Sequence, residues 1–171
     1  MENKKLGFGF MRLPLKDEND AKSVDTEMLC KMIDTFLERG FTYFDTAYMY
    51  HDFQSEVFLR ECLVKRHKRD EFTVATKLPT MMLKAAEDCE RIFNEQLEKC
   101  GVEFFDYYLL HNINVGTYAK CLKFGAFEFI KELKALIDKY LKKHDSISEQ
   151  ELYEKMGFPE NWRKITRYRK Q

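Results

Sequence analysis

The chain has 171 residues, enough to bury roughly 70% of its unfolded surface in one core, and its 44% hydrophobic and 15% aromatic content argues against disorder. Lys plus Arg and Asp plus Glu both number 29, so the overall charge draws the chain neither to nucleic acid nor to an acidic membrane. No stretch reaches the ~18 apolar residues of a membrane span, and MENKKLGFGFMRLPL lacks an apolar core of signal-peptide length, so a cytoplasmic protein with no membrane or nucleic-acid partner is expected.

In chain order, strand-like runs begin at Leu6 (LGFGFMRL), Phe41 (FTYFDTA), Phe72 (FTVATKL) and Phe104 (FFDYYLLH). Their spacings of 35, 31 and 32 residues suit one βα unit each. After the first run, Leu29, Met32, Ile33, Phe36 and Leu37 recur at helical spacing, with Asp25 placed to cap and Gly40 to stop the helix. A second helix begins near Ser55 and carries Phe58, Leu59, Cys62 and Leu63. A third has Cys89, Ile92, Phe93, Leu97 and Cys100 on one face and stops at Gly101. A fourth carries Phe127, Ile130, Leu133, Ile137 and Leu141. The strand runs show no clean alternation, which predicts a parallel sheet covered on both faces.

Beyond Lys143 no strand pattern remains. Ser148 and Glu151 form a capping-box pair, and Gly157 with Pro159 ends a short helix. The basic residues Arg163, Lys164, Arg167, Arg169 and Lys170 around Trp162 and Tyr168, like the run from Lys65 to Arg69, read as solvated helix faces rather than nucleic-acid contacts. The five cysteines, Cys30, Cys62, Cys89, Cys100 and Cys121, contain no CxxC pair, and most fall among apolar helical neighbours. Neither a metal site nor a disulfide framework is expected from them.

In a parallel sheet the carboxyl ends of the strands open on one side, where α/β chemistry is built. The second strand ends at Asp45, the third at Lys77 and the fourth at His111. Adjacent strands lie ~4.8 Å apart, so three neighbouring ends span only about 10 Å. Tyr50, five residues past Asp45, is close enough in sequence to fold back toward them. A lysine ammonium beside a phenol favours phenolate, and a carboxylate holds the lysine charged and oriented. Tyr50 then serves as general acid, and His111 as a donor that orients and polarises a carbonyl oxygen. Each residue has an ordinary reading too: Asp45 as a turn cap, Tyr50 as a half-exposed aromatic, Lys77 as a snorkelling side chain, His111 as a core imidazole. Four suitable groups at three successive strand ends favour a site.

The stretches LGFGFMRLPL, FTYFDTAYMYHDFQSE, VATKLP and FDYYLLHN resemble the aldo-keto reductases, in particular the bacterial branch with an appended iron–sulfur domain. The resemblance spans about residues 1–134, the N-terminal half of a family member. It implies NAD(P)H-dependent reduction of a small carbonyl substrate, with Tyr50 as proton donor, Lys77 and Asp45 tuning it and His111 orienting the carbonyl. It also implies that Gly9, Phe10 and Met11, together with Asp45, line the nicotinamide side of a cleft for NADPH or NADH. The expected fold class is therefore α/β, a partial (β/α) barrel of about four parallel βα units over residues 1–134, with a short helical C-terminal tail over 135–171. No iron–sulfur cluster is expected, because the cysteines are not clustered. The segment MGFPENW resembles the last residues of abortive-infection-like proteins, which raises a gene fusion. Family members hold much of the cofactor from later strands, so the expectation is a weakly active or inactive chain, or alternatively a non-catalytic half-barrel or interaction module. Its open sheet edges would then favour a homodimer.

Overall fold

The computed structural model describes the backbone of residues 5–143 and the side chains of residues 5–135. Four strands, β1 (Gly7–Gly9), β2 (Tyr43–Asp45), β3 (Thr73–Leu78) and β4 (Tyr107–Leu110), form one sheet in the order β1-β2-β3-β4, and every pairing is parallel. The helices between and after them are α1 (Thr26–Glu38), a single turn α2 (Tyr50–Phe53), α3 (Ser55–Leu59), α4 (Asp88–Cys100), α5 (Val115–Lys123) and α6 (Ala126–Lys143). This is a partial (β/α) barrel followed by helices, as the spacing of the strand runs implied.

Local sequence explains where the elements begin and end. The Asp25 carboxylate accepts from the Met28 amide at 3.0 Å and caps α1. Gly101, with φ 66°, ends α4 in the left-handed conformation that glycine adopts without a Cβ penalty. A π-turn, Arg60–Val64, continues α3. Helix α5 was not legible as a helix, because its apolar residues Val115, Tyr118 and Leu122 are exposed and do not mark a buried stripe. Its start is nonetheless fixed locally: the Asn114 side chain accepts from the Gly116 and Thr117 amides, at 3.0 and 3.1 Å.

The core lies on one face of the sheet. Phe8, Phe10, Phe44 and Val74 point outward against Leu29, Ile33 and Phe36 of α1, Leu59 of α3, and Leu63. Four of these phenylalanines meet edge-on or tilted, with Phe8 and Phe44 at 5.5 and 5.3 Å from Phe36 and Phe10 at 6.3 Å from Phe44. The opposite face carries Gly7, Gly9, Tyr43, Asp45, Ala75, Lys77, Tyr107 and Leu109 by the register and the pleat. It is less covered: Tyr107 is 49% and Leu109 42% exposed. The expectation of two covered faces is therefore corrected among the described residues. The alternation was hidden because the inward positions of β4 are themselves apolar or aromatic.

Beyond Lys143 the tail lies outside the described residues, including the capping pair Ser148 and Glu151 and the residue Trp162. Helix α6 runs without a break from Ala126 past residue 134 to Lys143.

Candidate active site

The inward face places three of the expected residues at the carboxyl ends of neighbouring strands. Asp45 pairs in register with Ala75, and Lys77 follows two residues later on the same face. From there the lysine ammonium reaches back across the strand gap and donates to Asp45 Oδ1 at 2.5 Å and to the Thr46 carbonyl at 2.7 Å. The pair is half-sheltered, with the lysine side chain 15% and the aspartate 29% exposed. Among the described residues the third ammonium donor has no partner.

The backbone around Asp45 is fixed from the core side. The Phe10 amide donates to the Asp45 carbonyl at 2.8 Å, and the Thr46 amide to the Ala75 carbonyl at 2.9 Å. The buried hydroxyls of Thr46 and Ser55 lie 2.9 Å apart, and Ser55 donates onward to the Phe10 carbonyl at 3.2 Å. The lysine is thus held by a carbonyl that is itself anchored, a support the sequence reading missed. The signal was a pair of small hydroxyl residues flanking the Asp45–Tyr50 loop.

His111 stands one residue beyond β4. Its amide donates to the Leu78 carbonyl at 2.9 Å, and its own carbonyl accepts from the Thr80 hydroxyl at 2.6 Å. Its Nδ1 is buried with no hydrogen-bond partner among the described residues. Burial, and then the Lys77 charge, push its pKa below the ordinary histidine value, while Asp45 opposes them in part. The ring is therefore held neutral to lower pH.

Tyr50 closes the group. Its ring meets the His111 imidazole edge-on, with centroids 5.7 Å apart at 88°, and the Lys77 ammonium lies 5.1 Å from the phenol ring centre. Tyr43 flanks the set, its hydroxyl 3.5 Å from Asp45 Oδ2 and its ring 5.5 Å from that of Tyr107. Gly7 is what lets Tyr43 lie flat here, since a Cβ on Gly7 would come within 2.7 Å of the Tyr43 ring.

The three residues expected at a cofactor cleft separate. A Cβ on Gly9 would meet nothing within 4 Å, so there is open space beside its register partner Asp45. Met11 is exposed. Phe10 is fully buried in the core, so its side chain does not face the cleft. Gly9 ends β1 on one face, Phe10 beside it turns to the other, and Met11 lies in the turn that follows the strand.

The turn that carries Tyr50 is strained. His51, Asp52 and Phe53 have φ values of 50°, 50° and 68°, three successive left-handed residues with no glycine among them. Such a conformation costs roughly 1–2 kcal/mol per residue relative to the right-handed one. No sequence signal announced it, because glycine is what ordinarily marks such a turn.

The model of the Aldo/keto reductase family matches residues 5–157. An NADP(+) aryl-alcohol dehydrogenase of Phanerodontia chrysosporium is 40% identical over 55 residues, which are 32% of this chain and 14% of that protein. Among solved structures, the holo form of an aldo-keto reductase from Bacillus halodurans superposes with a TM-score of 0.52 at 24% identity, covering 66% of this chain and 37% of that one. An aldo-keto reductase from Klebsiella pneumoniae in complex with NADPH gives 0.51 at 20% identity, covering 70% and 40%. The chain thus matches between 14% and 27% of the length of the curated relatives, and between 32% and 44% of the solved ones.

Two expectations are corrected by these findings. The family match runs to residue 157, so it is not confined to residues 1–134, and it reaches only the first two residues, Met156 and Gly157, of the segment compared with abortive-infection-like proteins. Among the described residues no group of three or more His, Cys, Asp or Glu could hold a metal, so the likeness is to the family and not to a branch bearing an iron–sulfur domain. Nor, among those residues, is any helix long and apolar enough to cross a membrane.

Proposed function

The chain belongs to the aldo/keto reductase family, and from that premise we propose that it carries the proton-donating side of a carbonyl reductase. The observation that supports this most is the meeting of Asp45, Lys77, Tyr50 and His111 at one end of the sheet. A reduced nicotinamide, NADPH or NADH, supplies a hydride when bound, and the open space at Gly9 beside Asp45 with the exposed Met11 fits its ring end. The neutral His111 donates from Nε2 to a substrate carbonyl oxygen and fixes its direction. Tyr50 gives its proton to that oxygen, the Lys77 charge stabilises the phenolate left behind, and Asp45 keeps the lysine charged and aimed. The substrate class is a small aldehyde or ketone, and the reading fits a cytoplasmic chain with free thiols.

Turnover by this chain alone is proposed to be slow. Orienting two reactants contributes up to roughly 7–11 kcal/mol of barrier lowering, and the described residues give a nicotinamide little beyond its ring. The test is NADPH consumption by the purified chain with an aromatic aldehyde, beside Tyr50→Phe. Slow consumption that the substitution abolishes supports the reading, and consumption indifferent to Tyr50 defeats it.

One observation favours a second reading, a non-catalytic module in which two copies pair. The inner face exposes Tyr107 and Leu109, and among the described residues neither β1 nor β4 has an outer strand neighbour. Sedimentation of the purified chain at micromolar concentration decides between a pair and a monomer.

A further inference from the structure

We propose that His51 is the positioning residue for Tyr50, a two-bonded buckle that fastens the left-handed turn at the site to the loop between β1 and α1. The inference rests on the reading of Tyr50 as proton donor. The Leu13 amide donates to His51 Nε2 at 3.2 Å, while His51 Nδ1 lies 2.7 Å from the Ala21 carbonyl. An amide donor requires a lone pair on Nε2, so the ring proton sits on Nδ1, where the carbonyl accepts it. Each hydrogen bond fixes the tautomer that the other needs.

The anchor is hydrogen-bonded within itself and far away in sequence. Residues 13–25 form a small hairpin, with a Leu15–Val24 antiparallel bridge, a Lys16 amide to Ser23 carbonyl bond of 2.7 Å and an Asp25 amide to Pro14 carbonyl bond of 2.8 Å. Leu13 and Val24 root it in the core. The opposite end of the turn is held by packing, with the Phe53 ring edge-on to Tyr48 at 5.5 Å and the Tyr48 hydroxyl donating to Glu95 Oε2 at 2.8 Å. Between these two holds lie the three left-handed residues, His51, Asp52 and Phe53, and Tyr50 immediately precedes them. Without the buckle, the turn relaxes toward right-handed backbone and swings Tyr50 away from His111.

The test uses the full chain labelled with 15N. A scalar coupling across the hydrogen bond between the Leu13 amide nitrogen and His51 Nε2 is expected, with His51 protonated on Nδ1. In His51→Phe, the nuclear Overhauser contact between the Tyr50 and His111 rings is expected to be lost while contacts between Ile33 and Phe44 in the core persist. Turnover falls by about 10²-fold with KM unchanged, as a misplacement near 1 Å produces. Adding Asp52→Gly makes left-handed backbone inexpensive and restores the ring contact.

A proton on His51 Nε2 in the wild type, or a Tyr50–His111 contact unchanged in His51→Phe, overturns the proposal. Should His51→Phe fail to fold, the wild-type coupling decides, its absence overturning the buckle and its presence upholding it. Unchanged turnover in Tyr50→Phe, by contrast, defeats only the proton-donor reading, because the buckle is read from ring contacts and coupling that need no turnover.

Discussion

The sheet carries an ion pair at each end, and the two are alike in length but not in surroundings. At the amino end Arg69 meets Asp106 at 2.5 Å, and at the carboxyl end Lys77 meets Asp45 at 2.5 Å. Arg69 also donates to the Phe72 carbonyl at 2.8 Å and to the Phe104 carbonyl at 3.4 Å, and its guanidinium lies 4.0 Å from the Phe104 ring centre. Asp106 accepts from the Val74 amide at 2.7 Å, and its side chain is only 6% exposed. That pair is tied to backbone groups on both sides and staples β3 to the chain entering β4. The Lys77 pair keeps one donor, a phenol and an imidazole on its open side. The same bond length therefore says little about role; what the remaining donors face says more.

The largest expected effect that separates the two ends is catalytic. Tyr50→Phe should lower any NADPH-dependent aldehyde reduction by roughly 10²–10⁴-fold, the usual contribution of a positioned acid, with no change in the melting temperature of the chain. Asp106→Ala should do the reverse. It leaves the partly exposed Arg69 guanidinium and the Val74 amide without their shared carboxylate and should cost about 1–3 kcal/mol in chemical denaturation, while the Tyr50–His111 ring contact survives in the folded fraction. An Asp106→Ala chain as stable as the wild type would remove the contrast.

Between the two ends lies a third polar group on the covered face. Glu56 is fully buried; its Oε1 accepts from Thr76 at 2.7 Å and from Gln96 at 2.6 Å, and its Oε2 has no partner among the described residues. Burial raises its pKa from 4.5 to about 7, against the opposing hydrogen bonds. A raised carboxyl favours the fold while protonated, so its contribution is complete below pH 4.5 and lost as pH climbs to about 7. The loss amounts to about 3 kcal/mol. Glu56→Gln should flatten the stability profile across that window, and a profile unchanged by the substitution would contradict the buried-acid account.

The smallest effect belongs to Lys77 as a stabiliser. Lys77→Met should alter unfolding free energy by no more than about 1 kcal/mol, in the range of exposed pairs, because Asp45 keeps access to water. A loss as large as that of Asp106→Ala would mean that the carboxyl-end pair, too, is chiefly a staple.

Much of this was legible before any coordinates, and for a physical reason. Asp45, Lys77 and His111 each end an apolar run, and in a parallel sheet run ends share a side, so their meeting follows from topology. Other features depend on facts a run of letters does not carry. Whether Phe10 or Gly9 faces inward turns on the pleat, and a strand of three residues shows too few alternations to reveal it. Tyr107 and Leu109 look like core residues because their side chains are apolar; only the covering layers show that they are not buried. The left-handed turn at His51 lacked its usual glycine and is held by contacts 30 and 38 residues away, which no local pattern encodes.

The most direct test of the central claim, that the carboxyl end is a cofactor-facing proton-donor site, is a titration of the labelled full chain with NADPH, followed at the side chains of Tyr50, Lys77 and His111. The account predicts saturable shifts in all three, centred on the sheet mouth and absent from Arg69 and Asp106 at the other end. No shift at the mouth up to millimolar NADPH, or equal shifts at both ends, would contradict it.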